Sequence, residues 1–118
     1  MGDPVTHWQI VSQDPEGAAD FYEELFGWKI DSANRPNYRM VDTQSEGKGV
    51  PGGIWPCPPE GQALVQLFVE VEDVDGAVKK VTALGAGIVM PKQLLPDGDE
   101  MAIIYDGFGI TFGLWRRL

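Results

Sequence analysis

The stretch His7–Ile30, HWQIVSQDPEGAADFYEELFGWKI, reads as a strand, a capped helix and a second strand. Residues 5–11 mix apolar, polar and β-branched side chains (Val5, Thr6, Ile10, Val11), as a half-buried strand does. Asp14 and Pro15 then supply an N-cap and a first helical position, and Glu16 suits the first turn. Ala18, Phe21, Tyr22 and Leu25 follow at i, i+3, i+4 and i+7, which predicts the buried face of a helix ending at Phe26, with Gly27 as its left-handed cap. The pattern recurs 59 positions later, where Asp14, Gly17, Ala18 and Leu25 have counterparts in Asp73, Gly76, Ala77 and Leu84. The chain therefore reads as one unit used twice.

Outward from this stretch, extended segments are expected at about 28–32, 37–42 and 48–55, separated by Asn34, Arg35 and Pro36 and by Gln44–Gly47. Pro56, Pro58, Pro59 and Gly61 form a linker that a sheet does not easily continue through. The order then restarts: a strand over 64–71, a helix over 74–84 capped by Asp73 and closed at Gly85, and strands near 87–91, 100–105 and 109–116, with Asp97 and Gly98 at a hairpin turn. Gly53-Ile54-Trp55 also reappears 60 positions on as Gly113-Leu114-Trp115, so one inserted residue accounts for the change of period. At 118 residues the chain fits a single domain, 1–118, made of module one (about 1–59) and module two (about 60–118). Either half alone buries too little surface to offset its chain entropy. A curved mixed sheet of about eight strands, with two helices outside and a concave cleft inside, satisfies both halves. A ferredoxin-like sandwich would use fewer strands than the sequence offers.

Composition narrows the function. With 9 basic against 18 acidic residues, the net charge of −9 repels phosphate backbones, and the cations are scattered, so nucleic acid is not an expected partner. No apolar run approaches the roughly 18 residues of a membrane span, and the opening MGDPVTHW lacks the features of a secretory leader, so no membrane association and a cytoplasmic location are expected. Cys57 is the only cysteine and lies in the Pro-rich linker, which rules out an internal disulfide and a multi-cysteine metal cluster.

The segments DPEGAADFYEELFGWKI, Gly52–Trp55 and YDGFGITFGLW resemble the glyoxalase/bleomycin resistance/dioxygenase superfamily, also called vicinal oxygen chelate proteins. The resemblance covers nearly the whole chain. It implies an α+β fold in which two βαβββ modules form a U-shaped mixed eight-stranded sheet around a cleft, commonly in a homodimer. It also implies metal ligands drawn from the first and last strands of each module. The first-strand positions carry His7 and Gln66; the last-strand positions, where metal-binding members carry an acid, fall at Gly53 and Gly113. Glycine has no side chain with which to ligate, so no cofactor is expected, a divalent metal being the alternative. Asp106 is expected to cap a turn.

Alternation along the strands places Gln9 with His7, and Phe68 with Gln66, on the cleft wall. Thr111, Trp55 and Trp115 share the parity of Gly53 and Gly113 and are expected to face the cleft, where glycine would widen it and admit a flat ligand to the backbone. Arg39 is the candidate for an anionic ligand group, while it, Tyr38, Met101 and Tyr105 lie where register is open by one position. Trp8 and Trp28 read as packing residues. His7, the only histidine, is the natural general base if chemistry occurs. The leading expectation is a glyoxalase-like protein that binds a small apolar or aromatic metabolite without metal, as a homodimer. The alternatives are a lyase, isomerase or dioxygenase using His7 and a degenerate metal site, or a structural domain whose cleft Trp55 and Trp115 fill.

Overall fold

The computed structural model describes residues 2–31 and 38–118. The expected turn at Asn34, Arg35 and Pro36, with residues 32 and 37 of the neighbouring strands, lies outside the described residues. Eight strands and two helices follow in the order β1 (Val5–Ser12), α1 (Pro15–Phe26), β2 (Lys29–Asp31), β3 (Arg39–Asp42), β4 (Gly52–Pro56), β5 (Leu64–Glu70), α2 (Val74–Ala83), β6 (Gly87–Leu94), β7 (Glu100–Tyr105) and β8 (Thr111–Arg116). This is the α+β, two-times-βαβββ order expected from the repeat, and it sets aside the four-stranded sandwich. No helix among the described residues is long and apolar enough to cross a membrane.

The chain forms two compact units, one of His7–Gln66 and the other of the residues up to Thr6 together with Leu67–Leu118. In the first, the strand order is β2-β3-β4-β1, with β1 parallel to β4 and the other pairs antiparallel. In the second it is β5-β8-β7-β6, with β5 parallel to β8 and the rest antiparallel. The registers repeat as well as the order: Gln9 lies opposite Gly53 and Phe68 opposite Gly113, offsets of 59 on the first strand and 60 on the last. The inserted residue therefore lies between the two paired strands and leaves their register intact.

Local chemistry explains the helix ends. Asp14 Oδ1 accepts from Gly17 N at 3.0 Å, and Gly27, at φ +72°, closes α1 with its N–H on Glu23 O at 3.0 Å. Asp73 occupies the N-cap of α2 without a side-chain capping bond, and Leu84 rather than Gly85 is its C-cap. Asp99 N donates to Asp97 Oδ1 (3.1 Å) and Leu95 N to Asp99 O (2.8 Å), which makes the expected hairpin between β6 and β7. Asp106 caps its turn by accepting from Phe108 N and Ile110 N at 2.6 and 3.1 Å.

Each helix covers one face of its own strands. Ala19 packs with Val41 and Ile54, ringed by Trp8, Ile10, Tyr22, Trp28 and Ile30; in the other unit Val71, Val74, Ala102 and Leu114 do the same with Val69, Ala77, Val78 and Ile104. Trp8 donates to Val50 O at 2.7 Å and packs on Trp28 with ring centroids 5.3 Å apart, the packing role expected of both. The buried stripe of α1 corrects the sequence reading: Phe21 and Leu25 are 60% and 57% exposed, and Ala19 with Tyr22 forms the contact instead. Of the positions expected to be buried, Tyr22 keeps its place on that face beside Ala19, while Phe21 and Leu25 are exposed.

Ile54 is 0% exposed at the centre of its cluster. Its truncation leaves a cavity under α1, so Ile54→Ala is expected to lower the unfolding free energy by about 2–5 kcal/mol, read from the chemical denaturation midpoint at unchanged slope.

Candidate functional site

The parallel pairing of β1 with β4 decides what the face away from α1 presents. Gly53 lies between Gln9 on β1 and Met40 on β3, so His7, Gln9, Gly53, Trp55, Met40 and Tyr38 share that face by alternation. His7 and Gln9 are buried there, as is Gln66. Gln9 Nε2 donates to Gln66 Oε1 at 3.4 Å, and His7 Nε2 lies 2.8 Å from Tyr38 Oη. Buried amides and imidazoles need such partners, and no buried side-chain nitrogen or oxygen among the described residues lacks one.

Aromatic rings complete this face. The His7 and Tyr38 rings are stacked at 6.4 Å and 21°, and Tyr38 meets Trp55 at 5.8 Å and 43°. Trp55 is 41% exposed and Tyr38 half-buried, so a polar interior leads out to an accessible aromatic edge. Gly53 lies beneath Tyr38: a Cβ at residue 53 would strike Oη, Cζ and Cε1 of that ring. Here the structure corrects the expectation that glycine leaves the backbone open to a ligand, because the protein's own phenol occupies the space.

The second unit repeats the device with different side chains. Phe68 is buried with its ring over Gly113, where a Cβ would meet it, and Trp115 stands edge-on to Phe68 at 6.2 Å and 82°. Thr111, Trp115 and Gly113 share the face of Tyr105, Met101 and Ile103, their register partners on β7. Trp115 Nε1 donates to Thr6 Oγ1 at 3.0 Å, and Arg117 lies 5.3 Å over the indole while donating to Glu70 Oε1 at 3.0 Å. A hydrogen bond from Thr6 and then the Arg117 guanidinium hold the Glu70 carboxyl below its ordinary value of 4.5.

The face of Arg39, left open by the sequence, is set by the register of β3. Arg39 lies opposite Ile54 on the face that α1 covers, where it lines a cavity of about 340 Å³ with Glu16, Ala19, Asp20, Glu23 and Ile30. Met40, not Arg39, pairs with Gly53, and that single register step decides the face. Tyr38, by contrast, joins His7, with its Oη 2.8 Å from His7 Nε2. The signal for it was Gly53, since a strand residue without a Cβ is a place where a ring can approach the backbone closely.

The donor set in the unit His7–Gln66 does not fit a divalent ion. His7 Nε2 is engaged by Tyr38, Gln9 and Gln66 are neutral amides bonded to each other, and residue 53 offers no ligand. Among the described residues no three His, Cys, Asp or Glu side chains come together as metal ligands.

Residues 5–114 match the sequence model of the glyoxalase/bleomycin resistance protein/dioxygenase superfamily. The chain belongs to this superfamily. It is 32% identical over 112 residues to the provisionally named glyoxylase CFP32 of Mycobacterium bovis and Mycobacterium tuberculosis, a match covering 91% of this chain and 43% of the relative. It is 28% identical over 129 residues to the anthracycline biosynthesis protein DnrV of Streptomyces peucetius, covering 93% and 46%. The chain thus spans less than half the length of these curated relatives. Among solved structures, the methylmalonyl-CoA epimerase of Mycobacterium tuberculosis superposes with a TM-score of 0.71 at 15% identity, covering 100% of this chain and 93% of that one. At that identity the likeness to this superfamily member is one of fold.

The Glu70 network carries a pH signature. A carboxyl whose folded pKa lies below its unfolded value stabilises the fold above the unfolded value and loses that contribution as pH falls through the folded one. Denaturation curves from pH 7 to pH 2 are expected to show a smaller acid-induced loss for Glu70→Gln than for the wild type, the difference opening below the ordinary value of 4.5.

Proposed function

We propose that this superfamily member binds a small apolar or aromatic metabolite on the face formed by His7, Gln9, Gln66, Tyr38 and Trp55, without a metal ion. The observation that carries the reading is the gradient across that face, from buried, hydrogen-bonded His7, Gln9 and Gln66 to the exposed Trp55 ring. Rings supply area and stacking, and the polar groups orient a flat molecule; carboxylate ligands for a cation are missing from the set. The homodimer and the cytoplasmic location expected from the sequence belong to the same proposal.

A second reading, a lyase, isomerase or dioxygenase of the superfamily, is favoured by one contact: the 2.8 Å pair of His7 Nε2 and Tyr38 Oη links two groups able to exchange a proton. It requires that His7 reach a substrate.

The two readings separate in a thermal-shift screen of uncharged aromatic metabolites with and without Mn, Fe, Ni and Zn ions, followed by turnover assays on each hit. Binding without metal is expected to stabilise the fold by about 2.7 kcal/mol at a hundred times the dissociation constant. Trp55→Ala is expected to diminish that shift, and added metal to leave it unchanged. Stoichiometric metal in protein purified without tags, or turnover abolished in His7→Ala, would decide for the enzyme.

A further inference from the structure

Tyr38 reaches His7 because residue 53 has no side chain. Its ring lies over bare backbone, and even a methyl group at residue 53 would collide with the hydroxyl end of the ring. From there Oη meets His7 Nε2 at 2.8 Å, while the other side of the ring turns to Trp55 at 5.8 Å. His7 is only 4% exposed. A molecule arriving at this face meets Tyr38 and Trp55 before it meets the imidazole.

We infer that Gly53, His7 and Tyr38 form one positioning unit, in which Gly53 seats the phenol and His7 fixes its hydroxyl, so that Tyr38 and Trp55 present a preset stacking face selective for uncharged planar aromatic molecules. This rests on the reading of the face as a small-molecule site. His7 then acts as a positioning residue, through Tyr38. A ring whose hydroxyl is already held has less freedom to lose when a ligand stacks on it, which favours binding. The selectivity for uncharged molecules follows from the partners: neutral amides, an imidazole and a phenol are the polar groups named on this face of a chain with net charge −9, and among the described residues no lysine or arginine stands with them to offset the cost of bringing in a carboxylate.

The test follows the ring signals of the three tyrosines and the imidazole of the one histidine by NMR in the isotope-labelled full chain. It is paired with titrations of 1-naphthol and 1-naphthoate. In Gly53→Ala the signals of Tyr38 and His7 are expected to move together while those of Tyr22 and Tyr105 stay in place, and 1-naphthol binding is expected to weaken at least tenfold. His7→Ala is expected to weaken it comparably, and Tyr38→Phe, which keeps the ring, to weaken it less than Gly53→Ala does. The wild type is expected to bind 1-naphthol at least tenfold more tightly than 1-naphthoate. Unmoved Tyr38 and His7 signals in Gly53→Ala would overturn the seat. Naphthol binding that survives at full strength in both Gly53→Ala and His7→Ala would overturn the positioning role while leaving the small-molecule reading intact. Absence of naphthol binding by the wild type would overturn the stacking face and that reading together. Should Gly53→Ala fail to fold, Tyr38→Leu removes the phenol directly, and unchanged naphthol affinity there overturns the proposal.

Discussion

The parallel pairing of a module's first strand with its last is the constraint from which the rest follows. Two strands adjacent in space but separated by a helix and two further strands in sequence bring residues from opposite ends of a module onto one face. In one unit the pairing sets Gln9 beside Gly53, and in the other Phe68 beside Gly113. The helix covers the opposite face in both, so the apolar clusters around Ile54 and Leu114 and the polar or aromatic faces around the glycines are separated by strand alternation alone.

The two faces show what a duplicated module can do with one vacancy. Where a last-strand side chain would stand, both units have glycine, and both fill the space with a ring drawn from elsewhere. Phe68 covers Gly113 from the adjacent strand and yields an apolar patch against Trp115. Across from Gly53 the corresponding residue is Gln9, which turns to Gln66, and the space falls to Tyr38, the residue before β3. A phenol brings a hydroxyl that a phenyl does not. That difference gives the first unit a polar interior joined to an aromatic edge, and it is why the functional reading centres there.

Membership of the superfamily constrains these conclusions less than the site does. Relatives named for glyoxylase and for anthracycline biosynthesis match this chain across less than half of their own length, and a fold shared with an epimerase leaves chemistry open. The engaged imidazole, the paired amides and the two glycines are properties of this chain's own residues, and the proposal of a metal-independent small-molecule face rests on them.

Much of the architecture was legible in the sequence, because it is written in local chemistry: Asp14, Pro15 and Gly27 bound a helix through caps a few residues away, and the 59- and 60-residue periods of Asp73, Gly113 and Trp115 announce the second module without reference to any contact. Alternation also sufficed for the faces of Gln9, Thr111 and Trp115, whose strands are anchored by neighbouring apolar patterns. It left Arg39 open, since a one-residue change of register moves a side chain to the opposite face, and the pairing of β3 with β4 is what chose between the two. Helical spacing placed Tyr22 on the packed face of α1 but not Phe21 and Leu25, which are exposed while Ala19 is buried. The sequence by itself determined which elements form and that they recur; only tertiary structure decided that the gap at Gly53 is filled by Tyr38 and that His7 is thereby engaged, because this depends on a close approach between strands far apart in the chain.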